Sequence, residues 1–317
     1  MKVVFVGASR FGLRCLDTAR QLPGIDIVGI ITNEQRFSIS YAPEGVSNVL
    51  HADFSAYAET HGIPVYVMKN KMTEPDLVRN ARTWGPELFL VVGWYHIVPR
   101  LLLTISTAVG LHASLLPDYG GGAPLVWAMI NGEKKTGITF FEFSEGIDDG
   151  PIIGQKAVDI SADDTIATLY EKIEIIGLDL IKEHLPRFAD GTVVLTPQDD
   201  ENRRIFPQRT PEDGKIDWSQ TAQMIHDFIR AQTRPYPGSF TTFGTSRLKI
   251  WKSRLVSTNA ESSRSAGSFY LSDDNELLVT CGMQTVIALD VVGLESQDMA
   301  AETWFNDVAK QVEGLFV

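Results

Sequence analysis

The stretch Lys2-Val-Val-Phe-Val-Gly-Ala-Ser-Arg-Phe-Gly12 decides the fold. Its first part is a continuous apolar run ending in glycine, as expected of a strand buried on both faces of a parallel sheet. Gly7-Ala-Ser-Arg-Phe-Gly12 then opens a helix expected over Phe11–Leu22. This turn matches half of a dinucleotide fingerprint but lacks the full G-x-G-x-x-G, so a tight strand-to-helix turn is the favoured reading. Ser9 and the nearby amides can still contact an anion at the helix N-terminus.

Outward from this stretch the pattern alternates. Strands are expected at Asp26–Thr32, Pro64–Met68, Leu88–Trp94, Val109–Ala113, Gly137–Phe143 and Ile152–Val158. Helices are expected at Ser47–His61, Glu74–Trp84, Pro124–Asn131 and Asp163–Leu185. This alternation implies an α/β fold with a doubly wound, mostly parallel, Rossmann-like sheet. Ligands gather at the carboxyl ends of the strands in such sheets. From Pro186 the pattern changes, and residues 190–215 carry Gly, Pro and mixed charge with weak periodicity. A helix at Thr221–Arg234 is followed by short segments rich in strand formers: Phe240–Phe243, Leu248–Val256, Gly267–Leu271, Leu277–Cys281 and Thr285–Val292. They suggest a small β-rich, OB-like open barrel. The expected organisation is a catalytic domain over 1–189, a linker over 190–215 and a C-terminal domain over 216–317.

The chain has 317 residues, is 44% hydrophobic and carries a formal charge of −12, which argues against general affinity for nucleic acid or anionic membranes. The charge is uneven: Arg203, Arg204, Arg209, Arg230, Arg234, Arg247 and Arg254 fall in one basic stretch, and the tail beyond Asp273 is acidic. A mixed solvated surface is favoured over a phosphate-binding face. Cys15 and Cys281 lie far apart in apolar stretches without metal spacing, as buried free thiols would. No apolar run reaches the ~18–20 residues of a spanning helix, and the chain opens directly into a strand pattern, so a cytoplasmic protein is expected.

The chemistry concentrates in two segments. Gly110-Leu-His-Ala-Ser-Leu-Leu-Pro-Asp-Tyr-Gly-Gly-Gly-Ala-Pro124 sets His112 at the end of a strand before a glycine loop that a ligand could approach closely. Gly146-Ile-Asp-Asp-Gly150 sets Asp148 on a turn at the end of another strand unit. A histidine and a carboxylate at one sheet edge can move protons. No G-x-S-x-G and no H-E-x-x-H is present, which leaves non-covalent transfer or hydrolysis at a carbonyl. Trp94-Tyr-His-Ile-Val-Pro99 offers flat walls for a heteroaromatic ligand, although core packing explains Trp94 equally well.

At these residues the chain resembles the formyltransferases that use 10-formyltetrahydrofolate. The resemblance rests on His112, Ser114-Leu-Leu-Pro117, Gly121, Ala123-Pro124, Trp127 and Gly146-Ile-Asp-Asp-Gly150. It extends through Gly62-Ile-Pro-Val65, Arg209-Thr-Pro-Glu-Asp213, Ile216-Asp-Trp218, Arg234-Pro-Tyr-Pro-Gly-Ser-Phe240 and Leu248-Lys-Ile-Trp251, and covers nearly the whole chain. Both the methionyl-tRNA and the sugar branches of that family share its layout. The resemblance implies attack of a substrate amine on the formyl carbon. His112 then transfers protons and stabilises charge, and Asp148 holds His112 and favours its protonated form. It implies that the folate lies against Leu90, Trp94, Tyr95, His96, Ile97, Leu116, Pro117, Phe143 and Asp148. The acceptor is expected near Ser9, Arg10, Phe11, Ser114 and Tyr119. No metal is implied.

Two positions depart from the family pattern. Gly110 stands where the family carries an Asn that donates to the oxyanion, and losing one such donor costs ~10²–10³ in rate. His96, Tyr95, a loop amide or a water are candidate substitutes. Asp118, Gly120 and Gly122 stand where the family often has Lys or Arg. With the overall acidity, this favours a nucleotide-linked amino sugar as the small-molecule partner over tRNA, which stays the alternative. That acceptor could be anchored by the basic stretch or by the Ser9–Phe11 turn. Formyltetrahydrofolate hydrolysis and an inactive folate- or nucleotide-binding homologue are further readings. No membrane partner is expected, and a homodimer is left open.

Overall fold

The computed structural model describes residues 1–39, 42–256, 264–294, 297–309 and 315–316. It divides into two compact units. The first comprises Met1–Pro124, Lys135–Val158 and Glu171–Phe206, and the second Leu125–Lys134, Asp159–Tyr170 and Pro207–Val317. The stretch expected as a linker is therefore shared: residues 190–206 belong to the first unit and 207–215 to the second. Residues 125–134 and 159–170, read from sequence with the first domain, pack with the second unit.

The first unit begins with β1 (Lys2–Val6), α1 (Arg10–Arg20) and β2 (Asp26–Asn33). Next come β3 (Arg36–Ile39), β4 (Ala42–Ser47), α2 (Phe54–His61), β5 (Val65–Met68), α3 (Pro75–Trp84) and β6 (Leu88–Val91). They are followed by α4 (Arg100–Leu103), β7 (Ala108–His112), β8 (Gly120–Gly121), then α5 (Pro124–Ile130), whose residues from Leu125 belong to the second unit, and by β9 (Lys135–Glu142) and β10 (Ile152–Asp159). The series closes with α6 (Ile166–Ala189) and β11 (Ile205–Phe206). Seven strands form one sheet in the order β10-β9-β7-β6-β1-β2-β5. The pairs β5–β2, β2–β1, β1–β6 and β6–β7 are parallel, and β7–β9 is antiparallel. This is the Rossmann-like sheet that the apolar runs predict, because parallel strands covered on both faces need no polar alternation. One apolar cluster joins Val4, Val6, Ile31, Phe89 and Val91 of the strands to Leu77, Val78 and Ala81 of α3 and Leu102 of α4.

One expected helix is shorter than its sequence suggests. Residues 47–53 are not helical, and α2 starts at Phe54 behind the N-cap Asp53, whose side chain accepts from the Ala56 amide. The Asn48 side chain claims the preceding turn. Its Oδ1 accepts from the Leu50 amide at 2.9 Å, and its Nδ2 donates to the Ala8 carbonyl at 3.1 Å. A local side-chain to backbone bond of this kind competes with helix formation. The hairpin β3–β4 just before it was not visible in the sequence pattern.

The second unit contains α7 (Ala222–Gln232), β12 (Ser239–Phe243), β13 (Ser246–Leu255), β14 (Phe269–Leu271), β15 (Leu277–Thr280), β16 (Val286–Leu294), β17 (Gln297–Ala300) and α8 (Ala301–Trp304). Its sheet runs β12-β13-β16-β15-β14, with β17 also on β16, and all these pairs are antiparallel. Ile225 and Ile229 of α7 pack against Leu248, Ile250, Leu277, Ile287 and Trp304. Among the described residues no helix is long and apolar enough to cross a membrane.

Candidate functional site

His112 closes β7, where pairing with Thr139 of β9 fixes its register. The loop that follows is pinned from below. Thr139 Oγ1 donates to the Ser114 carbonyl at 2.7 Å and accepts from the Leu116 amide at 3.1 Å. Gln155 Nε2 donates to the Leu116 carbonyl at 2.7 Å. Ser114 is fully buried and its hydroxyl donates to the Asp118 carbonyl at 2.7 Å, so it shapes the loop instead of facing a ligand.

The structure brings His112 and Asp148 together, with Nδ1 3.5 Å from Asp148 Oδ2. On the other side, Nε2 of the ring lies 2.8 Å from the Tyr119 carbonyl oxygen. A carbonyl only accepts, so Nε2 carries a hydrogen in this arrangement. Asp148 Oδ2 also accepts from the Gly121 amide at 2.8 Å. Tyr119, Ala123 and Asp148 adopt φ of 55°, 47° and 50°. Each such non-glycine residue costs roughly 1–3 kcal/mol, and residues of this kind cluster at functional sites.

A segment that sequence reading placed in the linker fastens this rim. β11 pairs in parallel with β8. Gly120 and Gly122 donate to the Arg204 and Phe206 carbonyls, both at 2.9 Å. Phe206 stacks on Tyr119, with ring centroids 4.6 Å apart. Arg204 Nε donates to Asp118 Oδ1 at 2.6 Å. Gln198 Nε2 donates to the Asp148 and Gly150 carbonyls at 2.8 and 2.7 Å. The Arg203 guanidinium donates to the Ile147 carbonyl and lies 3.6 Å from Asp149. Two-residue strand pairs and long-range side-chain bonds have no periodicity, so the sequence gives no signal for them beyond the polar character of 198–204.

Trp94, Tyr95 and His96 cluster with Phe37. His96 lies 5.3 Å from both Trp94 and Phe37, and Phe37 lies 5.5 Å from Tyr95, centroid to centroid. Trp94 Nε1 donates to Met72 Sδ at 3.0 Å, and the Tyr95 hydroxyl donates to Asn48 Oδ1 at 3.0 Å. Burial pushes the His96 ring below its ordinary value, and its Nε2 is buried without a partner. Ile97 is 76% exposed, so an apolar ligand face can cover it. Leu90 and Leu116 are buried. Pro117 and Phe143 are half-buried, and Phe143 stands 4.8 Å from Phe141. Ser9 is buried and its side chain caps α1 by accepting from the Gly12 amide at 3.0 Å. Arg10 is exposed at the start of that helix, with Phe11 half-buried beside it.

Gly110 has a packing reason. A Cβ there would run into the Val91 carbonyl oxygen and the Phe143 ring. Of the candidate substitutes for the missing Asn, the amides of Gly120, Gly121 and Gly122 are already bonded. The basic stretch is largely neutralised: Arg230 pairs with Asp227 at 2.7 Å, Arg247 with Glu212 at 2.7 Å and Arg254 with Glu276 at 2.7 Å. Arg204 and Arg234 also pair with carboxylates, Asp118 and Asp298. The expected anchoring of a phosphate by this run is therefore weakened.

Residues 1–184 match the family model described as formyl transferase, and residues 209–309 match that of the formyl transferase C-terminal domain. The chain belongs to the formyl transferase family and is a formyltransferase. A methionyl-tRNA formyltransferase of Ruminiclostridium cellulolyticum is 32% identical over 284 residues, covering 89% of this chain and 88% of that protein. Among solved structures, WlaRD, a sugar 3N-formyl transferase in the presence of dTDP and 5-N-formyl-THF, superposes with a TM-score of 0.65 at 19% identity. The match covers 94% of this chain and 98% of that one. The N-formyltransferase from Helicobacter canadensis, in complex with folinic acid and dTDP-3-aminofucose, gives 0.63 at 20% identity, over 91% and 98%. These two likenesses establish the fold.

Proposed function

We propose that this formyltransferase moves the formyl group of 10-formyltetrahydrofolate to the primary amine of a small polar acceptor, a nucleotide-linked amino sugar, in the cytoplasm. The observation that carries this reading is the charge of the catalytic rim. No Lys or Arg occurs from Ala113 to Pro124, and the acidic residue there, Asp118, is bound by Arg204. A polyanionic tRNA needs several cations where it docks, whereas one sugar amine does not. Arg10 at the first turn of α1 supplies a cation and a helix N-terminus for the acceptor's phosphates. In this reading the chemistry belongs to the segment 1–189, with 190–215 as connecting segment and 216–317 as an accessory region.

In this reading the folate lies on the Trp94–Ile97 wall and beside Phe143. The amine nitrogen attacks the formyl carbon, forming a C–N bond and an oxyanion. His112 exchanges the Tyr119 carbonyl for the reacting atoms and presents its Nε2 hydrogen to the developing charge. Asp148 holds the ring at its Nδ1 edge. Collapse breaks the bond between carbon and the folate N10, and the proton lost by the amine ends on N10. General acid–base transfer by one positioned group contributes about 10²–10⁴ in rate.

The second reading, methionyl-tRNA as acceptor, is favoured by the 32% identity to a methionyl-tRNA formyltransferase along most of both chains. Release of tetrahydrofolate is followed with dTDP- and UDP-linked amino sugars and, in parallel, with methionyl-tRNA. Turnover with an amino sugar and none above background with tRNA is expected. The reverse result overturns the sugar acceptor, and formate release without any amine identifies a hydrolase.

A further inference from the structure

The turn Gly146–Gly150, which carries Asp148, is gripped by side chains 48–56 positions further along the chain. Gln198 Nε2 donates to the Asp148 carbonyl at 2.8 Å and to the Gly150 carbonyl at 2.7 Å. The Arg203 guanidinium donates to the Ile147 carbonyl. Two backbone bonds between Ile152 and Thr196, at 2.7 and 2.8 Å, bring this segment alongside the start of β10. Gln198 stands two residues beyond Thr196, beside the turn.

Asp148 needs such a grip. Its φ of 50° lies in the left-handed region, where a residue with a Cβ persists only when its surroundings hold it. Relaxation to an ordinary φ of roughly −60° swings Cβ by about 110° around the N–Cα bond. That movement carries the carboxylate away from His112 Nδ1, now at 3.5 Å, and from the Gly121 amide, now at 2.8 Å. Gly121 binds the carboxylate itself. Gln198 instead binds the backbone on which the carboxylate's direction depends.

The chemistry of position 198 points the same way. Two carbonyl oxygens converging on one nitrogen need two hydrogens from it, which a primary amide supplies and a hydroxyl or an ionised carboxyl does not. The other end of that amide, Oε1, is buried without a hydrogen-bond partner among the described residues. An orphaned acceptor offsets part of the stability that the two bonds provide. What the side chain supplies in full is direction. We propose that Gln198 is a positioning residue for formyl transfer, holding the Asp148 and Gly150 carbonyls so that Asp148 stays left-handed with its carboxylate at His112. This role rests on the proposed reaction at His112 and Asp148 and on no particular acceptor.

The test follows release of tetrahydrofolate from 10-formyltetrahydrofolate by the full-length protein with a dTDP-linked amino sugar, methionyl-tRNA and water as acceptors. Rates are compared for the acceptor that the parent protein uses. Gln198→Met keeps the length of the side chain and removes its donor. It is expected to lower kcat by about 10²-fold, as a small misplacement of a reacting group does. KM for folate and acceptor should stay within about twofold, because ground-state binding is untouched. Asp148→Ala is expected to lose at least as much kcat. The double variant should lose no more than Asp148→Ala, since residues acting through one group do not add. If Gln198→Met does not fold, Gln198→Glu, which when ionised offers only acceptors to the two carbonyls, is read in the same way. The role of Gln198 alone is overturned if Asp148→Ala loses kcat and the Gln198 variant stays within about twofold of the parent. It is equally overturned if that variant raises KM instead of lowering kcat, or if the double variant falls below Asp148→Ala. Parental kcat in Asp148→Ala overturns the reaction at the His112–Asp148 pair, and the role of Gln198 with it.

Discussion

The rim around His112 and the aromatic core of the second unit are held by opposite means. At the rim, three non-glycine residues sit in left-handed backbone conformations, and polar bonds from Gln198, Arg203 and Arg204 hold the two loops. In the core, Phe269 stacks on Phe316 at 4.4 Å, Trp218 on Phe316 at 5.5 Å, and Trp304 meets Phe243 edge-on at 5.1 Å. The rim fixes directions at the cost of strain, and the core excludes water without directional demands. Substitutions at the rim should therefore register in rate, and those in the core in stability.

The widest separation is expected from His112→Ala. Turnover should fall about 10²–10⁴-fold while the thermal midpoint stays near that of the parent protein. An unchanged rate would remove the histidine from the chemistry. Trp304→Ala should do the converse. Trp304 is fully buried, and emptying such a site costs about 3–5 kcal/mol, read as a lower urea midpoint. A small loss would show that the aromatic cluster can collapse around the gap.

Gly110→Asn tests whether the rim obeys packing or chemistry. The added side chain meets the Val91 carbonyl oxygen and Phe143, so a loss of about 1–3 kcal/mol from overpacking is expected, with no gain in rate. Faster turnover at parental stability would show that the oxyanion position is open and merely lacks its donor.

The smallest effect concerns pH. Burial lowers the His96 ring, and the same cause, first in size, lowers His184 and His226. An imidazole freed by unfolding takes a proton near 6.5, whereas the native ring resists it. Stability from these groups is therefore present above 6.5 and lost as the pH falls below it. His96→Phe should shrink the difference in thermal midpoint between pH 7.5 and pH 5.5 without removing it, since His184 and His226 remain. An unchanged difference would show that His96 contributes nothing to it.

Much of the first unit was legible because its signals are local. Val3–Val6 and Leu88–Val91 are uninterrupted apolar runs, and burial on both faces is what such runs allow. His112 and Asp148 were legible because each ends a strand unit next to glycines. The hairpin β3–β4 was missed, since the expected helix from Ser47 overlapped its end and Asn48 settled the turn by side-chain bonds. The clasp by 198–206 was missed because pairing of Ile205 and Phe206 with Gly120 and Gly121 is a contact across some 85 positions, 205 against 120.

The sequence by itself determined the alternating α/β order, the β-rich second half, and the residue types that stand at the rim. These follow from hydrophobic period and turn chemistry, which act over a few residues. Only the tertiary structure decided that Gly110 is enclosed by Val91 and Phe143, that His112 is tethered to Tyr119, and that Gln198 spans the Asp148 and Gly150 carbonyls. Each of these depends on where distant segments come to lie side by side, which packing sets and no local pattern encodes.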